Sequence, residues 1–411
     1  MDTNKELKQD YWSYVVRQFK KNKRALYSLY IVLFMLFIAV FADFLANEKP
    51  IVCTYHGKTY FPILKDYAVS LKLSQFPKEL NNVVWSDLKY DFVLRAPIPY
   101  SPSTQDILNF GFVSPFGKQD VPSLRWRHWL GTEGIGRDIL SALIHGTRIA
   151  FIIGLISMSI ASVIGILLGA LAGFFGDRGI RISRAALIMG IIFTCLGLFY
   201  ANAVGGFFTG ILAFFVCIFI GYLISRPLKK IPILTPKTSI PIDIIVQRMI
   251  EILVSIPRLF LIIAVVAIAK PSIFLVMAVI GLTSWTEIAR FIRAELLRIR
   301  NLEYIEASEA LGFPRWRILL KHAIPNALSP VLITIAFGIA AAILTESFLS
   351  FIGLGIPPET LTWGKLLSLA QGGKSQLWVA IFPGFAIFLT VTLFNLIGEG
   401  LTDALDPRQK K

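Results

Sequence analysis

Runs of about twenty apolar residues, the length that carries an α-helix across a hydrocarbon core of roughly 30 Å, recur near 26–46, 148–174, 183–203, 205–225, 245–269, 271–290, 326–352 and 377–401. The pattern predicts eight transmembrane helices. The polar links between them are short, except for about a hundred residues from Asn47 to Thr147. That stretch alternates aromatic and polar residues in places (Tyr55, Tyr60, Phe61). Pro62, Pro77, Pro97, Pro99, Pro102, Pro115 and Pro122 punctuate it. It predicts a small, irregular extramembrane domain with short strands or helices. The segments expected are a leader at 1–25, a first span at 26–46, the extramembrane domain at 47–147 and a helix at 148–174. An apolar hairpin with a basic linker at 180–242, a core of spans at 243–401 and a tail at 402–411 follow.

Composition agrees: 55% of residues are hydrophobic, 16% are charged against about 25% in soluble proteins, and mean hydropathy is +0.66. The net charge of +15 does not indicate nucleic acid, because the basic residues flank apolar spans, where they set orientation. Lys5, Lys8, Arg17, Lys20, Lys21, Lys23 and Arg24 precede the first span and place the N-terminus in the cytoplasm. Alternation then puts Arg178, Arg181 and Arg184 inside, then Arg226, Lys229, Lys230 and Lys237, then Arg290, Arg293, Arg298, Arg300, Arg315, Arg317 and Lys321. The links near Ala203 and Ser272 and the stretch from Gly353 to Gln376 are poor in Lys and Arg and fall outside, and the final DPRQKK returns inside. Lysines in the long loop do not break this rule, since loops beyond about 60 residues translocate regardless of charge. The first span is too long for a secretory signal core and lacks a small-x-small cleavage site, so it reads as an uncleaved anchor. Cys53, Cys195 and Cys217 are scattered, with no disulfide framework or metal spacing.

The stretch NLEYIEASEALGFPRWRILLKHAIPNALSP (301–330) carries the most information. From Leu302 to Leu311 the residues are good helix formers, and Ala307, Ala310 and Leu311 share one face at i, i+3, i+4 spacing. Gly312 is placed to end that helix, and Pro314 to begin a second, short one that stops before Pro325. The prediction is a bent, amphipathic finger built for docking. Catalysis has no residues to carry it. His56, His128, His145 and His322 show no metal-ligand spacing, and no G-x-S-x-G or H-E-x-x-H occurs. GGKS (372–375) lacks the upstream glycine of a nucleotide-binding loop. Ionisable residues within apolar runs are expensive and face protein or water, which singles out Arg258, Glu287, Glu346 and Glu399. Glu346 is the best candidate for an outer gate or pathway, the alternative being a carboxylate bonded to a neighbouring helix. Gly338, Gly353, Gly355, Gly384 and Gly398 suit close helix packing or turns.

The finger resembles the "EAA" coupling loop of ABC importer permeases: Glu-Ala-Ala, three residues, Gly, nine residues, Ile-x-Leu-Pro. Glu306, Ala307, Gly312 and Pro325 stand at the matching positions, while Ser308, His322 and Ile324 replace the second alanine, the isoleucine and the leucine. HWLGTEGIGRDILSALIHGTRIAF (128–151) resembles a signature of the dipeptide, oligopeptide and nickel permease subfamily, with Glu133 in place of aspartate. Leu130, Gly131, Thr132, Gly136, Arg137, Asp138, Gly146 and Arg148 keep their places. Arg137 and Asp138 fit either a structural cap on the second span or a gating or binding-protein contact. FLANEKPIVCTYHGKTYFPILKDY and VLRAPIPY are similar to the corresponding loop of oligopeptide and microcin C permeases. WTEIARFIRAELLRIRNLEYIEASEALG, ILTESFLSFIGLGIPP, LTWG and FNLIGEGLTDALDPR extend the resemblance from about 128 onward. The departure follows Gly176, where about 60 residues intervene before IEILVSIPRLFLIIA (250–264). Two apolar runs parted by NAVGG (202–206) make 180–242 an inserted transmembrane hairpin.

The resemblance implies an all-α polytopic membrane protein with the helical bundle of a type I ABC importer and a small extracytoplasmic domain. It implies the second-permease subunit of a peptide uptake system in a bacterial inner membrane, with both termini cytoplasmic. Implied partners are a second permease completing a heterodimer, two cytoplasmic ATPase subunits, an extracytoplasmic solute-binding protein, peptide cargo and membrane lipid. The chain itself would hold no cofactor or metal, ATP and Mg being bound by the ATPase subunits. Glu306, Ala307, Ala310, Leu311, Gly312 and Pro325 would couple to the ATPase, flanked by Arg290, Arg293, Arg315, Arg317 and Lys321. Glu346, Arg137 and Asp138 are the outer-gate candidates. An ion-coupled secondary transporter would need inverted repeats and midplane carboxylates, and no convincing repeat is visible. A non-transporting membrane scaffold would be indifferent to changes in the finger.

Overall fold

A computed structural model describes residues 13–77, 80, 83–177, 179, 181–204, 206–357, 359–372 and 376–405. Lys5, Lys8, Arg178, the last three letters of GGKS and the DPRQKK tail lie outside the described residues. In chain order the main helices are α1 (Lys23–Val40), α2 (Pro62–Ser70), α3 (Ile139–Ala170), α4 (Arg184–Ala203), α5 (Phe207–Leu228) and α6 (Ile242–Ser255). They continue as α7 (Arg258–Ile268), α8 (Ile273–Ile299), α9 (Glu303–Ala310), α10 (Ser329–Phe351), α11 (Trp363–Leu369) and α12 (Leu377–Leu405). Short strands are β1 (Val52–Tyr55), β2 (Lys58–Tyr60), β3 (Phe92–Leu94), β4 (Arg181–Ser183) and β5 (Lys237–Ser239). Among the described residues, α1, α3, α4, α5, α8, α10 and α12 are long and apolar enough to cross a membrane, and α6 with α7 adds an eighth crossing if the pair counts as one. The fold is that of an all-α polytopic membrane protein.

Four expected boundaries differ. The run 245–269 is two helices, because Pro257 has no N–H to donate and its ring drives Ile256 out of the α conformation. Helix α3 starts at Ile139, well before 148, because Asp138 Oδ1 caps it by accepting the Ser141 N–H at 2.6 Å. Gly146 and Arg148 therefore lie within the helix, and the extramembrane stretch ends at Asp138. Helix α8 runs to Ile299, so Arg290, Arg293 and Arg298 ride on it and not on a loop. Helix α12 includes 402–405, which were expected in the tail.

The chain forms two compact units, Met1–Gly165 with Val254–Ile288 and Leu328–Lys411, and Ile166–Leu253 with Ala289–Ala327. In the first, α10 packs on α11 and α12, and α12 packs on α1. Ile153, Ile262, Val276, Ile280, Ala342 and Leu349 join α3, α7, α8 and α10 in one buried cluster. Helices in lipid gain little from hydrophobic burial and associate through close packing, so small residues mark the contacts. A methyl at Gly281 would meet Ile160 at 2.8 Å, and one at Gly398 would meet the Phe337 ring at 2.8 Å. Gly338 likewise faces Met158, while Gly353 and Gly355 serve turns with φ of +82° and +91°.

The domain between α1 and α3 carries an antiparallel sheet of order β2-β1-β3. Its hairpin turns at His56 and Gly57, whose φ values of +50° and +70° match the twist of the flanking strands. The domain is tied to the bundle by Asp43, just past α1. The Asp43 carboxylate accepts from Arg148 of α3 at 2.7 Å and from the Tyr67 hydroxyl of α2. Arg148 also donates to the terminal α1 carbonyls of Ala39 at 2.8 Å and Val40 at 3.3 Å, where a cation suits the helix dipole. Burial opposes the charge on Asp43, but these donors outweigh it and hold the carboxyl below its ordinary value.

In the second unit, α4 and α5 pack on each other through Gly197 beside Phe214 and Gly221 beside Phe193. An antiparallel ribbon of β4 and β5 closes the base, pairing Arg181 with Ser239 and Ser183 with Lys237. The inserted hairpin thus leaves and re-enters the chain at one point, a device the apolar pattern did not predict.

Candidate functional site

The finger is built as a bend with a buried root and an exposed tip. Helix α9 ends at Gly312, whose φ of +78° lets its N–H reach Glu309 O at 2.9 Å and the Phe313 N–H reach Ser308 O at 3.2 Å. This pair of bonds is the Schellman ending, which satisfies the last carbonyls of the helix. After Pro314 the chain turns helical again over Arg315–Ile318, widens into a π turn at Leu319–Ala323 and closes as an α-turn at Ile324–Ala327. Pro325 therefore lies inside the second arm and does not end it, contrary to expectation. The preceding π turn has shifted the hydrogen-bond register, which accommodates a residue without an N–H.

Across the bend, Arg315 Nε donates to Glu309 Oε1 at 2.9 Å, and the Arg317 guanidinium lies 5.1 Å from the Phe313 ring centroid. Asn326 joins the arms by donating to the Tyr304 hydroxyl at 3.2 Å. Ile305, Ile318, Leu319, Ala323 and Ala327 are buried and root the finger. Trp316 stands against Phe175 with ring centroids 4.7 Å apart. Facing outward, Glu306, Ala307, Ala310, Gly312 and Phe313 are exposed, and Leu311 is 77% exposed. The tip thus holds small and apolar side chains open to solvent beside the Glu306 carboxylate.

The basic flank divides in two. Arg293 makes a bidentate pair with Asp243 of α6 at 2.5 and 2.7 Å, which fixes α8 to α6, and Arg315 is committed to Glu309. Arg290, Arg317 and Lys321 are exposed.

At the N-terminal end of α3, Arg137 and Asp138 are both buried. Arg137 Nε donates to Glu133 Oε1 at 2.9 Å, so the glutamate at the signature's aspartate position forms an ion pair with the arginine four residues on. Asp138 Oδ2 lies 2.8 Å from His128 Nδ1, and Asp106 Oδ2 lies 3.1 Å from His128 Nε2. The imidazole is fully buried and stacks on Tyr100 with centroids 4.2 Å apart. Burial disfavours the imidazolium, yet the Asp138 and Asp106 carboxylates outweigh it and raise the His128 pKa above its ordinary value. Sequence reasoning weighed His128 only as a metal ligand and missed this clamp. Its neighbour LGTEGIGRD was visible, but no local signal announced that Asp106 would return to the far side of the ring.

Glu346 is 1% exposed in α10. It accepts from Ser350 at 2.7 Å and Ser347 at 3.4 Å, and bonds to Thr362, whose hydroxyl caps α11 by accepting the Lys365 N–H at 3.2 Å. Among the other intramembrane candidates, Arg258 donates to Ser284 at 3.4 Å, whereas Glu287 and Glu399 are exposed.

Comparison with known proteins places this sequence among transporter permeases. Residues 237–411 match the family described as binding-protein-dependent transport system inner membrane component, and residues 10–62 match the N-terminal transmembrane domain of oligopeptide transport permease C. The peptidoglycan transport system permease protein YejE of Agrobacterium fabrum is 26% identical over 96% of this chain and 92% of its own length. The inner membrane ABC transporter permease protein YejE of Escherichia coli is 28% identical, covering 95% of this chain and 96% of its own. The oligopeptide transport system permease protein OppC of Haemophilus influenzae is 31% identical over 78% of this chain and 81% of its own.

Proposed function

The chain belongs to the family of binding-protein-dependent ABC transporter permeases of the inner membrane, and from that premise we propose that it is the second-permease subunit of a peptide importer. The observation that carries the reading is the exposed tip of small and apolar residues on a rooted, bent finger. Two cytoplasmic ATPase subunits bind ATP and Mg and close on each other, and one of them holds the finger in a groove. Ala307 and Ala310 admit close approach, Glu306 and Leu311 fill the contact, and Gly312 keeps the bend, with Pro325 in the returning arm. Arg317 offers charge beside the tip, while Arg290 on α8 and Lys321 in the returning arm offer it on the flanks. Displacement of the finger then rocks the helices between inward and outward openings. A second permease completes the pathway, and an external solute-binding protein delivers cargo. Peptide cargo is supported by the oligopeptide, dipeptide and glutathione permeases among the relatives. The basic leader supports cytoplasmic termini. Glu346, Arg137 and Asp138 act at the outer mouth by bonding inward: Glu346 ties α10 to α11, and the other two hold the cap of α3.

Arginines at both Ala307 and Ala310 (A307R with A310R) fill the docking face while leaving the buried root alone. The ATPase subunits then no longer co-purify with the permeases, and binding-protein-dependent peptide uptake falls at least tenfold. Uptake that survives in the variant but collapses with an ionophore would favour an ion-coupled transporter. ATPase association and uptake both unchanged would refute the coupling assignment.

A further inference from the structure

We infer that the charged end of the α4–α5 insertion is a binding site for anionic phospholipid headgroups. From Arg181 to Ile242 the chain carries Arg181, Arg184, Arg226, Lys229, Lys230 and Lys237 and not one Asp or Glu, while the NAVGG turn at the opposite end of the hairpin bears no charge. The fold draws these cations together. In the β4–β5 ribbon, Arg181 opposes Ser239 and Ser183 opposes Lys237, so Arg181 and Lys237 are diagonal neighbours on one face. Such positions lie about 7–8 Å apart. The Arg184 N–H donates to Pro236 O at 3.0 Å and the Ala185 N–H to Leu234 O at 3.2 Å, which lays the loop from Lys229 to Lys237 across the start of α4. The loop's own shape is pinned by Thr235 Oγ1, which donates to Lys229 O at 2.8 Å and Ile231 O at 2.9 Å.

All six side chains are exposed. The nearest carboxylates in the sequence are engaged elsewhere: Asp177 accepts the Ile244 N–H at 3.2 Å and Asp243 holds Arg293. Like charges at this spacing repel, and an anion set among them offsets the repulsion. The class of anion follows from a second observation. Ile231 is 44% and Ile233 75% exposed, and they sit between Lys230 and Lys237. A soluble anion offers these side chains no apolar partner. A bilayer surface satisfies both: cations meet phosphates while the isoleucines enter the acyl boundary. Tyr222, bonded to Arg226 through its hydroxyl at 3.0 Å, is the kind of amphipathic ring found at that depth. Orientation by positive charge alone requires neither the ribbon that gathers the cations nor the exposed isoleucines.

The test uses the purified transporter with its partner subunits in detergent. Phosphatidylglycerol or phosphatidylcholine is added, and native mass spectrometry counts retained lipid. Wild type retains phosphatidylglycerol selectively, and raising the ionic strength releases it. In a Lys229→Gln, Lys230→Gln variant, which keeps three arginines to preserve orientation, retention weakens about fivefold per cation removed, or about 25-fold. Ile233→Ser weakens retention with all charges in place, and Lys229→Arg with Lys230→Arg keeps it. Equal retention of the two lipids by wild type, insensitivity to salt, or displacement of the lipid by millimolar inorganic phosphate would overturn the inference. Loss of a partner subunit from the glutamine variant with lipid retention unchanged would also overturn it, pointing to an acidic protein surface instead.

Discussion

Gly312 is the residue on which the geometry of the finger most depends, and a graded series at this position tests that dependence. A Cβ added there meets no atom within 4 Å, so substitution creates no clash. The whole cost is the backbone: at φ +78° an L-residue is strained by about 1–2 kcal/mol. Asparagine tolerates this conformation better than alanine, and a β-branched side chain tolerates it worst. Relaxing the strain means opening the bend, which gives up the Gly312–Glu309 and Phe313–Ser308 bonds and parts the exposed Arg315–Glu309 pair. If only the bent form docks, apparent affinity for the ATPase falls as the bent population falls. The loss is up to about fivefold for 1 kcal/mol and about 30-fold for 2 kcal/mol. In reconstituted transporter, ATPase activity stimulated by loaded binding protein should therefore rank glycine, then Gly312→Asn, then Gly312→Ala, then Gly312→Val. Each variant should elute from size exclusion as an intact permease pair. A valine variant that couples as well as wild type would show that the left-handed bend has no part in docking.

Two further outcomes concern the buried groups His128 and Glu346. His128 has a pKa raised above its ordinary 6.5, so the stability it contributes is full below that value and is lost as pH rises through the higher folded value. Thermal unfolding of the wild type should shift down on the alkaline side while His128→Gln loses that slope, and an identical slope in the variant would remove the imidazolium from the account. Glu346→Gln keeps an acceptor for Ser350 and Thr362 and should transport and melt near wild type, whereas Glu346→Ala should lower stability by about 1–3 kcal/mol. Uptake abolished by the glutamine with melting unchanged would make the carboxylate itself a pathway group.

Much of the fold was legible because lipid imposes a length and an apolar quota on every crossing. The same criterion explains the misses. The start of α3 was placed late because His145, Gly146 and Arg148 interrupt the apolar run, although a helix continues through polar residues when Asp138 caps it and Asp43 receives the arginine. The run 245–269 passed as one span because hydropathy is blind to the backbone of Ile256–Pro257. In the finger, Gly312 could be read from its place after a helix-forming stretch, but Pro325 could not, since the π turn that accommodates it leaves no compositional trace. The buried histidine clamp and the ribbon share a different obstacle. Asp106 and His128, or Arg181 and Ser239, meet only because intervening chain folds back, and single-sequence periodicity stops at the local turn.

The pairing of α1 with α12 bears on how the chain is made. Asn22 donates to Asp403 at 3.0 Å across 381 residues, and Gly400 leaves room for Ala25 beside it. A ribosome adding about 5–20 residues per second needs about 20–80 s to span that interval. Throughout that time the first helix has Arg148 of α3 at its end but not α12 along its length, and a nascent chain arrested before residue 377 lacks α12 altogether. Biogenesis of this subunit thus ends where it began, with the last helix closing on the first.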